Sequence, residues 1–154
     1  MRPIIGPPKD LVPLSLEEWI TKHFSPRGAD AVAGAHNVVE LITTLGGTAV
    51  VSNLQASIVA KFTGDEGKPI YPFHLARDGG KFTISFSDTK HRAGLKDEAI
   101  RDDLLRKFEA ALGPLAPCNT GGYPGIAVAK LSDPTAIARM RPIAEEYLSL
   151  ARLK

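Results

Sequence analysis

The chain has 154 residues, a formal net charge of +2, 44% hydrophobic residues and 23% charged residues. These values are typical of one globular domain that buries roughly two thirds of its unfolded surface without disulfides, and they exclude a disordered or strongly basic protein. No apolar run approaches the about 18 residues of a membrane span. The N-terminus lacks the apolar core of a signal peptide, and Cys118 is the single cysteine. We therefore expect a soluble cytoplasmic protein with no membrane partner.

The first residues are rich in proline. Pro3, Pro7, Pro8 and Pro13 fix the backbone and withhold amide donors, so residues 1–13 are predicted to form an extended proline-containing arm. No internal repeat or low-complexity tract follows. We expect a single α+β domain over residues 14–154.

Capping residues predict the helices of the first part. Ser15 and Glu18 have the spacing of a capping box, so a helix is expected from Ser15 to just before Ser25. Asp30 is the predicted cap of a second helix, which Gly46 and Gly47 would end.

Residues 48–63 allow two interpretations, because their β-branched residues favour a strand while Val51, Leu54, Ile58 and Phe62 also have helical spacing. We expect a short strand or turn at 48–51 and a helix at 53–62.

A hairpin is predicted at 70–87. Apolar residues alternate with polar ones over 81–87, and a two-residue loop at Asp78-Gly79 sets Leu75 opposite Phe82, Phe73 opposite Ile84 and Tyr71 opposite Phe86. After the hairpin we expect a helix around Leu104, a loop over 113–125 and an apolar strand at 126–131. Asp133 and Pro134 are expected to begin the last helix, with a kink or break near Arg141 caused by Pro142.

The fold class predicted from this order is α+β: N-terminal helices, a β-hairpin and a β-α-β crossover forming a small mixed sheet, and a C-terminal helix. A strand, helix and strand in succession usually form a right-handed parallel crossover. The strands 81–87 and 126–131 would then end at the same edge of the sheet, which is a common place for ligands.

This geometry predicts an anion site at the turn 88–96. The candidate ligand-binding residues are Lys90, His91, Arg92 and Lys96 in the first turn, with Ser132 and Thr135 in the second. Two helix N-termini would add partial positive charge. The expected function is a small binding or interaction domain that recognises a phosphate group or a nucleic acid at this turn. An ordinary solvated turn is the competing interpretation, since Asp97, Glu98 and Asp133 can complement the same helix dipoles.

Two other functional interpretations are open, one at the turn 88–96 and one in the first half of the chain. Asp88 and Lys90 after a strand, with Asp65 or Glu66 nearby, would suit a metal-dependent phosphodiesterase with a PD-(D/E)xK-like arrangement. A helix at 53–62 followed by a hairpin would also fit a winged-helix DNA-binding domain, although that helix carries few basic residues.

The remaining reactive side chains predict no chemistry. Cys118 has no histidine near it in sequence to act as a base, and it is expected to be a free structural cysteine. The four histidines lack ligand spacing, and His23 and His36 are expected to pack beside helix core positions. We assign no catalytic residue and no metal site.

Overall fold

The computed structural model describes residues 13–154, and it confirms the α+β class with five helices and a five-stranded sheet in this part of the chain. The predicted arm at 1–13, except for Pro13, lies outside the described residues. The helices are α1 (Leu16–Phe24), α2 (Ala29–Thr44), α3 (Phe86–Thr89), α4 (Glu98–Leu112) and α5 (Pro134–Ala151). The strands are β1 (Thr48–Val51), β2 (Ser57–Thr63), β3 (Pro69–Ala76), β4 (Lys81–Ile84) and β5 (Gly125–Ala127). None of these helices combines the length and hydropathy needed to cross a lipid bilayer.

The sheet is antiparallel throughout, with its strands in the order β1-β2-β3-β4-β5. The predicted parallel crossover is therefore wrong, because Lys81 is opposite Ala127 and Thr83 is opposite Gly125 in an antiparallel pair. The connection from β4 to β5 contains α4 and a long loop, so it can return the chain to either end of β4. Gly125 allows close pairing, since a Cβ there would lie 2.8 Å from the Phe82 carbonyl oxygen.

The hairpin register is confirmed for two of the three predicted pairs: Leu75 is opposite Phe82, and Phe73 is opposite Ile84. The turn is closed by a hydrogen bond from the Gly80 amide to the Arg77 carbonyl at 3.3 Å. The third pair is wrong, because β4 ends at Ile84 and Phe86 begins α3.

One extra residue in β3 changes which side chains its two faces present. Phe62 is opposite Ile70 while Ala60 is opposite Phe73, so β3 carries a bulge at Tyr71-Pro72. Tyr71 is 36% exposed as a result, whereas Ile70 and Phe73 are both buried.

The predicted helix at 53–62 is wrong, because these residues form a turn and most of β2. Ile58, Ala60 and Phe62 are buried in alternation, as a strand requires. Ser52 does not cap a helix; its hydroxyl accepts a hydrogen bond from the Ser57 amide across the turn. The winged-helix interpretation therefore loses its recognition helix.

The predicted starts of α1 and α5 are confirmed, but the predicted start of α2 is not. Ser15 and Glu18 form the full capping box of α1, and Asp133 caps α5 with Pro134 in its first turn. Residue Gly28 precedes α2 without a side-chain cap, so the cap predicted at Asp30 is wrong. Helix α5 continues through Pro142 without a break.

Helix α2 makes its closest contact at Gly34. The predicted strand 126–131 is shorter than expected, and the chain continues from β5 into a 3-10 helix, Val128–Ser132, that lies against α2. A Cβ at Gly34 would lie 2.0 Å from the Val128 carbonyl oxygen, so only glycine allows this approach. Asn37 donates from Nδ2 to the Leu131 carbonyl at 2.9 Å and fixes the alignment.

Tyr147 joins α5 to the sheet. Its buried ring contacts the rings of Phe73, Phe86 and Phe108 at centroid distances of 5.4, 5.5 and 6.0 Å. Its hydroxyl donates to the Pro72 carbonyl at 3.2 Å and lies 2.8 Å from the Thr89 hydroxyl. The core face of the sheet is thus covered by α5, and β3 and α3 are held together beneath it.

Candidate functional site

The turn 88–96 does not hold its predicted residues as one anion site. Arg92 is buried and points into the protein, where its guanidinium binds both carboxylate oxygens of Glu66 at 2.5 and 2.7 Å. It also donates to the carbonyls of Ala151 and Arg152 at the end of α5. Hydrogen bonds from Arg92 lower the pKa of the Glu66 carboxyl to about 2. Arg92 therefore connects the β2–β3 turn to the C-terminus of α5 and is unavailable to a ligand.

The other predicted residues are divided between two ends of the sheet. Lys90 is exposed and donates to the Gly121 carbonyl at 3.3 Å, and His91 and Lys96 are also exposed. Because β4 and β5 are antiparallel, Ser132 and Thr135 follow the opposite end of this strand pair, where the Val128 amide binds the Gly80 carbonyl. The shared edge on which the six-residue site depended does not exist. Anion binding by the exposed residues of the turn stays a prediction.

The two N-termini invoked for that site carry acidic caps. Asp97 accepts from the Ala99 amide at the start of α4, and Asp133 accepts from the Thr135 amide at the start of α5, each at 2.9 Å. Both caps supply the negative charge that a helix N-terminus favours.

The PD-(D/E)xK-like alternative gains no support from these positions. Asp88 accepts a hydrogen bond from the Tyr123 hydroxyl at 2.8 Å, while Glu66 is paired with Arg92. Within residues 13–154, no group of three or more His, Cys, Asp or Glu side chains could hold a metal ion.

Cys118 and two histidines lie in other surroundings. Cys118 is exposed, which differs from a cysteine with a structural role in the core. His23 packs against the Trp19 ring as expected, with centroids 4.8 Å apart. His36 is instead on the surface, where its Nε2 lies 3.0 Å from Glu17, so the expectation that it packs is wrong.

Two neighbouring rows of residues show the different character of the two sheet faces. Ile58, Leu75, Phe82 and Ile126 are consecutive cross-strand partners, and all four are buried in the core. The next row contains Val50, Val59, His74, Thr83 and Gly125. Its members on β4 and β5 are buried, but Val50 is 39% exposed and Val59 and His74 are half-buried. The second face is therefore accessible over β1, β2 and β3.

A groove of about 390 Å³ lies on this accessible face. We call it the open-face groove, and its lining residues are Val50, Val51, Ser52, Asn53, Val59, Lys61, Tyr71, His74 and Asp88. Three strands supply most of the lining, and the start of α3 supplies Asp88 at one end. Aliphatic and aromatic side chains thus lie beside hydrogen-bonding groups, a composition typical of binding sites.

His74 is held in place by a polar cluster at one wall of the groove. Its Nδ1 is hydrogen-bonded to the Ser85 hydroxyl, and its Nε2 lies 3.7 Å from Asp88 Oδ2. Tyr123 donates to the other oxygen of Asp88 and places its ring edge-on to the imidazole at 5.9 Å. Burial lowers the pKa of His74, although the Asp88 charge opposes this shift.

Ser85, His74 and Asp88 are the residue types of a hydrolytic triad, but their arrangement does not serve acyl transfer. A nucleophile must reach the substrate, and Ser85 is 0% exposed. Its carbonyl also accepts from Thr89, which holds Ser85 at the start of α3. The cluster therefore fixes the imidazole and the carboxylate as parts of the groove wall.

A second depression, of about 380 Å³, lies between α2 and the first half of α5. Glu40 and Arg141 are among its lining residues, together with Leu41 and Ile137. Leu41 is buried and Ile137 is half-buried, so this depression, unlike the open-face groove, contains no exposed large hydrophobic side chain.

No local signal in the sequence indicated the open-face groove. Val50, Lys61 and His74 come from three different strands, and only the pairing of those strands brings them together. The exposed Tyr71 depends on a bulge that its own alternation pattern did not indicate. Comparison of the chain with protein-family models, curated proteins and solved structures gives no match. The geometry of the open-face groove is therefore the basis for proposing a function.

Proposed function

We propose that this chain is a binding domain that recognises a polypeptide partner through the open-face groove. The observation that carries the proposal is the distribution of exposed apolar side chains. Six large hydrophobic side chains of the described residues are exposed: Val50, Leu54, Tyr71, Ile100, Tyr123 and Leu153. Val50 and Tyr71 line the groove, Leu54 follows the lining residue Asn53, and Tyr123 contacts the lining residue His74. Three of the six thus line the groove or contact its lining, and Leu54 is adjacent to the lining in sequence.

Such clustering is the feature that separates a docking surface from ordinary surface hydrophobics, which are scattered singly. Tyrosine is enriched at protein interfaces because its ring buries a large area while its hydroxyl keeps a hydrogen bond. Tyr123 is not part of the groove lining but contacts His74, so exposed apolar surface extends past the lining residues at that wall. This extent favours a polypeptide over a small ligand.

The proposal is tested by selecting binders from a displayed library of random 12-residue peptides. The selected peptides are then titrated against the unmodified protein and against the variants Val50→Ser and Tyr71→Ser. Ile100→Ser is the matched control, because Ile100 is 37% exposed and does not line the groove. All three side chains are on the surface, so the fold should tolerate each change.

We expect peptides whose affinity falls about tenfold or more in the two groove variants and stays unchanged in the control, as for central interface residues. Amide chemical-shift changes should map to β1, β2 and β3. The proposal is overturned if the selection enriches no peptide, or if every enriched peptide binds Val50→Ser and Tyr71→Ser as tightly as it binds the unmodified protein.

A further inference from the structure

We infer that the partner segment is acidic and that one of its carboxylates pairs with Lys61 in the open-face groove. This inference rests on the proposed function and specifies the chemistry of the partner. The groove is lined by one lysine and one aspartate, Lys61 and Asp88, and the two side chains differ in the partners that they have within the protein.

The Asp88 carboxylate is partly engaged within the protein. The Tyr123 hydroxyl donates to Oδ1 at 2.8 Å, and the His74 ring lies 3.7 Å from Oδ2. The Asp88 side chain is only 33% exposed. A cation could reach only this partly covered carboxylate, so Asp88 is the less accessible of the two groups to a charged partner.

The charge of Lys61 has no such counterpart. Lys61 is exposed on β2, opposite Thr48 of β1, and its ammonium group makes no ion pair or hydrogen bond with any residue from 13 onward. It belongs to the accessible face, next to the row that contains Val50 and Val59. A partner's carboxylate could approach it from solvent.

The uncharged polar lining adds donors beside Lys61. The Asn53 amide and the Tyr71 hydroxyl both line the groove, and neither side chain is bonded to another described residue. Carboxylates accept hydrogen bonds and cannot donate them, so ammonium, amide and hydroxyl donors suit an aspartate or glutamate. Apolar residues next to that carboxylate would pack on Val50 and Val59. The occupant we expect is therefore a peptide with an acidic residue flanked by apolar ones.

The inference is tested on the groove-dependent peptides from the library selection. Each is resynthesised with its Asp or Glu changed to Asn or Gln and titrated against the unmodified protein, Lys61→Gln and Lys61→Glu. Lys130→Gln is the matched control, since Lys130 is also an exposed lysine and does not line the groove. A DNA oligonucleotide is titrated in parallel as a polyanion that is not a peptide.

We expect the groove-dependent peptides to be enriched in Asp and Glu and to bind Lys61→Gln roughly two- to fivefold more weakly at low salt, as an exposed ion pair implies. Lys61→Glu should weaken binding further, and a peptide with Lys in place of its acidic residue should recover affinity for that variant. Added salt should weaken binding to the unmodified protein more than to Lys61→Gln.

Failure of this inference differs from failure of the proposed function. Groove-dependent peptides without acidic enrichment, which bind Lys61→Gln as tightly as the unmodified protein, would overturn the acidic partner and leave the binding domain intact. Lys61-dependent binding of the oligonucleotide without any acidic peptide would overturn it in favour of nucleic acid. An absence of groove-dependent peptides would overturn both.

Discussion

The hydroxyl of Tyr147 should contribute measurably to stability, and Tyr147→Phe removes it while keeping the ring. Tyr147 is 0% exposed, and its ring contacts would persist in the variant. The variant loses two hydrogen bonds, to the Pro72 carbonyl and with the Thr89 hydroxyl. Neither partner is left without a bond, because Pro72 also accepts from the Ser85 amide and the Thr89 hydroxyl can donate its proton to the Ser85 carbonyl instead of to Tyr147. No buried group is left unsatisfied, so we expect a loss of about 1–2 kcal/mol rather than a full desolvation penalty.

Urea unfolding followed by circular dichroism would measure this loss, with Thr89→Val and the double variant completing a cycle. The sum of the stability losses in the two single variants should exceed the loss in the double variant, because each single change removes the shared hydrogen bond. Tyr71→Phe is the control, as its exposed hydroxyl should change stability by less than about 0.5 kcal/mol. Strictly additive losses, or no loss in Tyr147→Phe, would show that this hydroxyl does not join α5 to the sheet.

Alkaline titration gives an independent readout of the same group. Burial raises the pKa of Tyr147 far above its ordinary value of 10.0. Above pH 10 the unfolded chain therefore releases a proton that the folded chain retains, and the free energy of unfolding falls as the pH rises. Tyr147→Phe should lack this part of the alkaline loss. Equal alkaline slopes for the two proteins would contradict the buried, un-ionised hydroxyl.

Four further changes test other parts of the structure. Phe82→Ala should cost roughly 3–5 kcal/mol, because Phe82 is 1% exposed and stacks on Phe73 at 5.5 Å; a loss below about 1 kcal/mol in urea would contradict its core position. Ser15→Ala should cost on the order of 1 kcal/mol by removing the α1 cap, and an unchanged melting temperature would argue against a docked helix. The pKa of Glu66 falls from 4.5 to about 2 on folding, so its contribution to stability is present above pH 4.5 and is lost as the pH falls towards 2. The free energy of unfolding of Glu66→Gln should therefore fall less steeply over this pH range than that of the unmodified protein, and the same pH dependence in both would refute the pairing. If the turn 88–96 binds anions, pyrophosphate binding at low salt should be lost in the double variant Lys90→Ala/Lys96→Ala. Equal binding by the unmodified protein and the double variant, or no binding by either, would exclude an anion site at this turn.

Local signals predicted the parts of the fold that local chemistry determines. The Ser15 capping box and the Asp133-Pro134 start each need residues within one helical turn, and both are confirmed. The hairpin register follows from a tight turn and two alternating strands, so Leu75 opposite Phe82 could also be read from the sequence.

The mispredicted parts of the structure depend on pairing between residues that are far apart in the sequence. Ile58 and Phe62 fit a helix by their spacing, but Leu75 lies opposite Ile58 only when β2 is extended, and that partner is distant in sequence. The direction of β5 likewise depends on how a long connection returns to the sheet. Arg92 was expected to face a ligand because no sequence motif indicates its pairing with Glu66. The open-face groove is non-local in the same sense, since it is assembled by strand pairing.

The close approach at Gly34 also bears on how the domain folds. Helix α2 lies in the first third of the sequence, whereas the backbone that packs over Gly34 belongs to Val128–Ser132 in the last third. Strands β1 to β4 can pair as successive neighbours, whereas this contact closes a loop of more than ninety residues, between positions such as Asn37 and Leu131 that are 94 apart. Long loops are entropically expensive to close before other contacts form, so the meander should assemble first and the α2 contact last. During synthesis, the part of α2 that packs on Val128–Ser132 must therefore stay uncovered until residue 132 has emerged.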